Sequence, residues 1–384
     1  MQCNVARLSP APRLPWQLFA SSFITTGLAG VVGITAPGVQ DDLAVGYAAI
    51  GALFGTQTLG AFLGAASVAA LPRLSPSLSA AAALTAAAVT VGAAAPHYWG
   101  LLPTMFVAGF GGFTLVTRAQ GELSRLAGKA RGHALSRQHV VGAIGGTLYP
   151  LVFSGLLDAG LGWRSGFVLL ALTYVLYGLS LVHGRIGHSS AAADAAPAHA
   201  RAGSVAWAVS IPALGVGIQT TIPLWLPTLL RDSFDASEAG ASVGAGVYFL
   251  AVLGGRVAAA RLLSRLGEDR ELQLSVVLVL VGYGLLALSG TAVTATAACA
   301  VIGFGVGPLL PLGVSRVARA ARTDRVASSL VMAMGCVAQI LLPAVVVALL
   351  VAVDLHAALC VTALAGAVAL VAVRRSGAST LAPA

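Results

Sequence analysis

Twelve times along this chain, a run of roughly 18 to 24 residues passes almost without charge, about the length an α-helix needs to cross a ~30 Å hydrocarbon layer. The runs fall near residues 16–39, 46–70, 78–96, 99–121, 133–157, 165–183, 205–229, 240–263, 271–289, 294–315, 326–350 and 355–373. No soluble core could absorb them. The chain is 58% hydrophobic and only 9% charged, with a mean hydropathy of +0.90, where a soluble domain carries about a quarter charged residues. Lipid is therefore the solvent, and each backbone polar group must find its partner inside the protein, which leaves helices as the spanning elements. The third run, "SAAALTAAAVTVGAAA", is alanine-rich and only mildly hydrophobic. The first, from Trp16, is too long for a signal-peptide core and reads as a retained helix. The 46 glycines and still more numerous alanines suit close helix packing in a membrane; a GC-rich coding bias would produce the same excess.

Loop charges orient the twelve spans. With the N-terminus inside, the cytoplasmic segments hold Arg7, Arg13, Arg73, Arg125, Lys129, Arg131, Arg185, Arg201, Arg265, Arg270, the run Arg316 to Arg325, Arg374 and Arg375. The outer loops hold only Arg164 and Arg231 of the 22 basic residues, together with Asp41, Asp42, Asp158, Asp232, Asp235, Glu238 and Asp354. That bias is the positive-inside pattern, with both termini cytoplasmic. It also accounts for the net charge of +9 without nucleic acid as a partner, since no basic face stands apart from the apolar runs.

The same inventory excludes several chemistries. Cys3, Cys299, Cys336 and Cys360 are scattered, with neither a CxxC nor a Cys/His cluster, so no metal site, cofactor or disulfide framework is expected. There is no G-x-x-x-x-G-K-[ST] loop for ATP and no G-x-S-x-G elbow, and the Asp41–Asp42 pair has no second acidic motif. An enzyme is not expected. A transporter-like sensor is disfavoured because no large soluble segment accompanies the spans.

One polar interruption, "GRIGHSSAAADAAPAHARAGS" at 184–204, divides the spans six and six. The expected organisation is a tail at 1–15, a six-helix bundle at 16–183, a linker at 184–204, a second bundle at 205–373 and a tail at 374–384. The halves resemble each other: "VAGFG" at 107–111 recurs as "VIGFG" at 301–305, 194 residues on, each followed by a basic loop and a run containing a proline, Pro150 and Pro343. A duplicated six-helix unit describes a secondary transporter whose substrate path lies between the halves.

In detail the chain resembles the major facilitator superfamily over nearly its whole length. "APGVQDDLAVGYAAIGALFGTQTLGAFLGA" is similar to that family's first outer loop and glycine-rich second helix. "ARGHALSRQHVVGAIGGTLYPLVFSGLLDAGLGWRSGFVLL" resembles its fifth and sixth helices, and "GFGVGPLLPL" its tenth. "GGRVAAARLLSRLGEDREL" looks like the second-half copy of the signature loop G-x-L-x-D-R-x-G, with Arg265 and Gly267 matching, Ala260 for the first glycine and Ser264 for the aspartate. The first-half copy keeps Gly64 and has Val68 at the aspartate position, so the charge latch that the family builds there is weakened. Met105 stands where proton-driven drug exporters tend to carry an arginine. Some pieces are reminiscent of the fucose-permease-like sugar group. The resemblance implies an all-α fold of two pseudo-symmetric six-helix bundles.

Ionisable or polar groups inside a membrane are candidates for a substrate path. No span carries an acid at mid-membrane; Glu122, near the cytoplasmic end of the fourth, comes nearest. Gly111, Thr114, Arg118 and Glu122 share a helix face. Either Arg118 binds an anionic or hydroxyl-rich substrate while Glu122 sets its charge, or the two form an ordinary interfacial ion pair. His139 and Glu122 are read as a candidate proton relay at the inner gate. Further cavity candidates are Gln57, Tyr149, Gln219, Trp225, Tyr248 and Gln339, with helix seven expected to break at Pro223 and Pro227. Trp225 could equally belong to an outer aromatic belt. Arg256, Ser264, Arg265 and Gly267 are assigned to the cytoplasmic gate. The expected function is secondary transport of a small organic solute through a bacterial inner-type cell membrane by a monomer, with protons as a possible coupling ion. Export of a drug-like compound or metabolite is the leading direction and sugar-like uptake the alternative.

Overall fold

A computed structural model of the chain describes residues 14–71, 73–127, 131–183, 202–321 and 324–378. Among these residues every regular element is a helix. The N-terminal half holds α1 Trp16–Leu43, α2 Tyr47–Ala70, α3 Leu78–Ala93, α4 Tyr98–Ala127, α5 Arg131–Asp158 and α6 Arg164–His183. The C-terminal half holds α7 Ala202–Phe234, α8 Glu238–Leu266, α9 Glu268–Ala287, α10 Ala292–Val306, α11 Leu309–Ala321, α12 Asp324–Leu349, α13 Leu355–Val361 and α14 Ala363–Ala378. Residues 184–201 of the expected linker, most of the expected N-terminal tail and the Ser264 side chain lie outside the described residues.

Ten helices are long and apolar enough to cross a membrane, counting α10 with α11 and α13 with α14 as one span each. The shorter apolar helices Leu78–Ala93 and Ala333–Leu349 complete the twelve. The alanine-rich third run is thus one of the two short ones. The expected break in the seventh span does not occur: α7 runs through 33 residues with Pro212, Pro223 and Pro227 inside it. A proline lacks an amide hydrogen and leaves the carbonyl four residues before it without a helical partner. In α7 the Gln219 carbonyl, freed by Pro223, accepts the Tyr248 hydroxyl, and the helix continues.

The two halves repeat one packing plan. In the first, α2 lies on α4, α3 on α6 and α1 on α5; in the second, α8 lies on α10, α9 on α14 and α7 on α12. Glycines set the closest approaches. A Cβ on Gly64 would collide with the Phe110 carbonyl, and one on Gly255 with the Phe304 carbonyl. Phe110 and Phe304 are the equivalent residues of "VAGFG" and "VIGFG". Gly109 is pressed on the Gln57 carbonyl and Gly303 on that of Tyr248 in the same way. The repeat seen in five letters of sequence is therefore a repeat of helix packing. These contacts set Gly255 opposite Gly64, where the signature-loop reading set Ala260.

Four helix pairs join the halves: α5 with α8, α1 with α7, α2 with α12 and, more lightly, α1 with α8. Along the first, Ser242, Phe249 and Arg256 form one stripe at seven-residue spacing. Ser242 Oγ donates to the Pro150 carbonyl at 2.7 Å, Phe249 packs on Gly146, and Arg256 reaches the His139 carbonyl.

At the outer side the seam is shut. Gly33 of α1 lies directly on the backbone of Pro223 and Leu224, and Gly51 of α2 lies on Val347 of α12. Arg231 at the end of α7 donates to the Pro37 carbonyl at 2.8 Å, pairs with Asp41 at 3.1 Å and holds Asp232 at 2.6 Å. Asp232 in turn accepts the Tyr47 hydroxyl at 2.7 Å.

Toward the cytoplasm, among the described residues, the close contacts of α1 and α7 lie within their own halves. Leu18 and Ser21 accept from Gln138 of α5, whereas Gly215 and Gly217 lie against Leu309 and Ala338. Among the described residues, α4 does not pack on α10 or α11. Among the described residues the seam is thus shut at the outer side, while toward the cytoplasm α5 and α8 carry the contact between the halves. Substituting Gly33 with valine is expected to prise open the outer seal. A Val347→Cys reporter, in a background without the native cysteines, should then react with a membrane-impermeant maleimide severalfold faster than with Gly33 intact.

Candidate functional site

Side chains of α7 and α8 meet the His139 carbonyl of α5 toward the cytoplasmic side of the seam. Arg256 of α8 is their centre. Its Nε donates to the Gly307 carbonyl at 3.3 Å, its Nη1 to the His139 carbonyl at 3.3 Å and its Nη2 to Gln219 Oε1 at 3.2 Å. The Gln219 carbonyl accepts the Tyr248 hydroxyl at 3.3 Å. Arg256 is half-buried and His139 exposed, while Tyr248 is fully buried.

Prolines explain why acceptors are free here. Pro223 removes the amide that would serve the Gln219 carbonyl, and Pro311 removes the one that would serve Gly307. Neither carbonyl keeps a donor within its own helix. The Tyr248 hydroxyl takes the first and the Arg256 guanidinium the second. Pro227 frees the Pro223 carbonyl and Pro308 that of Phe304, and these meet the bare backbones of Gly33 and Gly255.

One of these bonds has a twin in the other half. Gln57 Nε2 of α2 donates to the Leu28 carbonyl of α1 at 2.6 Å. Gln57 stands 191 residues before Tyr248, and Leu28 stands 191 before Gln219. Each half thus ties its second helix to its first at the same address. The twin of Arg256 in that frame is Ala65, so the cation belongs to one half alone.

The other sequence candidates are dispersed. Gln57 is buried inside the first half and serves its packing. Tyr149 turns into the same half, where its hydroxyl donates to the Gly166 carbonyl and its ring packs on Gly27. Trp225 is wholly buried in the outer seal, edge-on to Tyr47, and so belongs to neither a cavity wall nor a lipid-facing belt. Gln339 is half-buried on α12, beside the Ala338 that packs on Gly217.

Arg118 and Glu122 do not form the expected pair. Arg118 Nη2 donates to the Ser75 carbonyl at 2.8 Å, in the α2–α3 connection, while Glu122 pairs with Arg125 at 2.7 Å. A helix face brings residues i and i+4 near one another, but Arg125 at i+3 supplies a second cation with a shorter reach. Nor is Glu122 joined to His139, whose backbone carbonyl accepts from Arg256. In the second half Arg316 of α11 pairs with Asp269 in the first turn of α9 at 2.7 Å and donates to the Val373 carbonyl of α14 at 3.2 Å. At the signature loop Arg265 is exposed, and Gly267 takes a positive φ of 75° that favours glycine. Among the described residues no three His, Cys, Asp or Glu gather as metal ligands.

Sequence reasoning named Gln219, Tyr248, Arg256 and His139 separately and missed their convergence. The available signal was the pair of prolines, each marking a carbonyl four residues earlier that needs a donor. Replacing Tyr248 with phenylalanine removes one such donor. It is expected to cost about 1 kcal/mol, the usual scale for a side-chain hydrogen bond within a membrane bundle, measured as a lowered unfolding midpoint in detergent.

Comparison with known proteins agrees with this architecture. The family model described as Major Facilitator Superfamily matches residues 18–343. No curated protein matches the chain. Among solved structures, a bacterial homolog of the human lysosomal transporter Spinster, inward-facing and unoccupied, is 14% identical with a TM-score of 0.67, covering 96% of this chain and 98% of that one. A D-xylose-proton symporter is 14% identical with a TM-score of 0.72, covering 94% and 97%. The transporter FucP in its outward conformation is 17% identical with a TM-score of 0.64, covering 95% and 99%. At such identities the likeness speaks for the fold alone. The family match, spanning most of both bundles, carries the assignment: this chain is a member of the major facilitator superfamily.

Proposed function

We propose that this transporter carries its small organic solute along the seam between the halves, with Gln219, Tyr248, Arg256 and the exposed His139 as the contact point. The observation that carries this reading is the placement of that polar group toward the cytoplasmic side of a seam shut outside by Gly33, Gly51 and Arg231. The bundles 16–183 and 205–373 rock as two bodies about the α5–α8 contact, joined covalently by the linker 184–204. One chain, acting as a monomer, supplies both walls of the path. Export is the direction we favour, since the seam is shut at the outer side and the contact point lies toward the cytoplasm. His139 is the titratable side chain that would link transport to protons.

Alternating access requires the outer seal to open in every cycle. A disulfide between Gly51→Cys and Val347→Cys, in a background without the native cysteines, is expected to arrest transport. Reduction should restore it. The readout is solute flux in proteoliposomes, from a substrate screen run with and without a pH gradient. Flux that persists with the disulfide closed would refute alternating access at this seam. Accumulation inside right-side-out vesicles, in place of everted ones, would identify an uptake permease of the sugar-like kind. A pH-gradient stimulation that survives His139→Gln unchanged would remove His139 from proton coupling.

A further inference from the structure

We propose that Arg256 is the anchor of an anion site and that the transported solute is an organic carboxylate. The inference deepens the transport reading given above and rests on it. A guanidinium offers five N–H donors. Three are engaged, all by neutral oxygens, on Gly307, His139 and Gln219. One N–H on each terminal nitrogen is left, and the two can donate to the two oxygens of a carboxylate.

The chain itself brings no carboxylate to this place. Its 13 acidic residues leave the intervals 123–157, 195–231, 239–267 and 272–323 empty, and those intervals hold the interiors of α5, α7, α8, α10 and α11. Arg256 lies three residues inside the cytoplasmic end of the apolar span Glu238–Ala259, half-buried among neutral oxygens. A guanidinium held only by neutral acceptors favours an anion at its open side. Its three partners lie on α5, α7 and α10, so its exposed part faces the space between the halves, while the adjoining Val257 is the exposed residue on the lipid side.

The glycine contact does not itself require the charge. The equivalent address in the first half is filled by Ala65, with the neighbouring glycine contact, Gly64 on Phe110, intact. Tyr248 also shows that a neutral donor suffices to cap a proline-freed carbonyl in this seam. The positive charge is left over for a ligand.

The test uses the purified full chain in detergent, where binding is read as a rise in unfolding midpoint independently of any flux. The probes are lactate, gluconate, succinate, benzoate and salicylate, each against its own amide, at constant ionic strength in sodium chloride. At least one carboxylate is expected to stabilise the wild type while its amide does not. Arg256→Gln should abolish that gain, and Arg256→Lys, which keeps the charge but loses the fork, should weaken it at least tenfold in apparent affinity. Stabilisation by amides as well as acids, by chloride alone, by none of the probes, or equally in Arg256→Gln would overturn the proposal. If Arg256→Gln does not fold, the comparison of wild type with Arg256→Lys decides: equal affinity overturns the anchor role. Because binding is measured without transport, a failed disulfide arrest in proteoliposomes would count against alternating access and leave the anion site standing.

Discussion

Everything in this protein answers to one constraint: a carbonyl released inside a bilayer has no water to turn to. Prolines release such carbonyls within α7 and at the α10–α11 junction, and each released group shapes what faces it. Where a donor is at hand, as with Tyr248 at Gln219 and Arg256 at Gly307, the carbonyl becomes part of a polar cluster. Where none is, a glycine brings its bare backbone close, as Gly33 does at Pro223 and Gly255 at Phe304. The polar contact point and the tight seals of the seam thus share one origin.

The duplicated halves divide labour. Both keep the glycine-to-carbonyl contacts of their second and fourth helices, and both tie the second helix to the first with a side-chain donor. What differs is the residue one step beyond the shared glycine, alanine in the first half and arginine in the second. A scaffold that tolerates either residue at this address is free to specialise it.

Much of the fold was legible in the sequence because the bilayer sets a length and the loop charges set a direction. The twelve runs, the weak third span and the repeat of "VAGFG" all reappear as helices and contacts. The site was less legible for a physical reason. In a soluble helix the polar face marks the outside, but here the lipid-facing surface is as apolar as the core, as Leu148, Leu172 and Val281 show. Helix faces therefore do not announce which polar residue looks into the seam. Gln57, Tyr149 and Trp225 are polar or amphipathic residues in the right spans, yet packing claims all three. Arg118 and Glu122 obey helical spacing, but Ser75 and Arg125 compete for them across a loop and along the helix, distances that spacing cannot weigh.

The unneutralised guanidinium has an electrical consequence. When the seam reverses its access, Arg256 carries its charge through part of the membrane field, which is worth about 2.3 kcal/mol for a unit charge crossing 100 mV. An inside-negative potential then draws the empty carrier toward the state open to the cytoplasm. On the carboxylate proposal, a carrier loaded with one negative charge is neutral at that point and reorients without feeling the voltage, so the potential acts on the empty carrier alone.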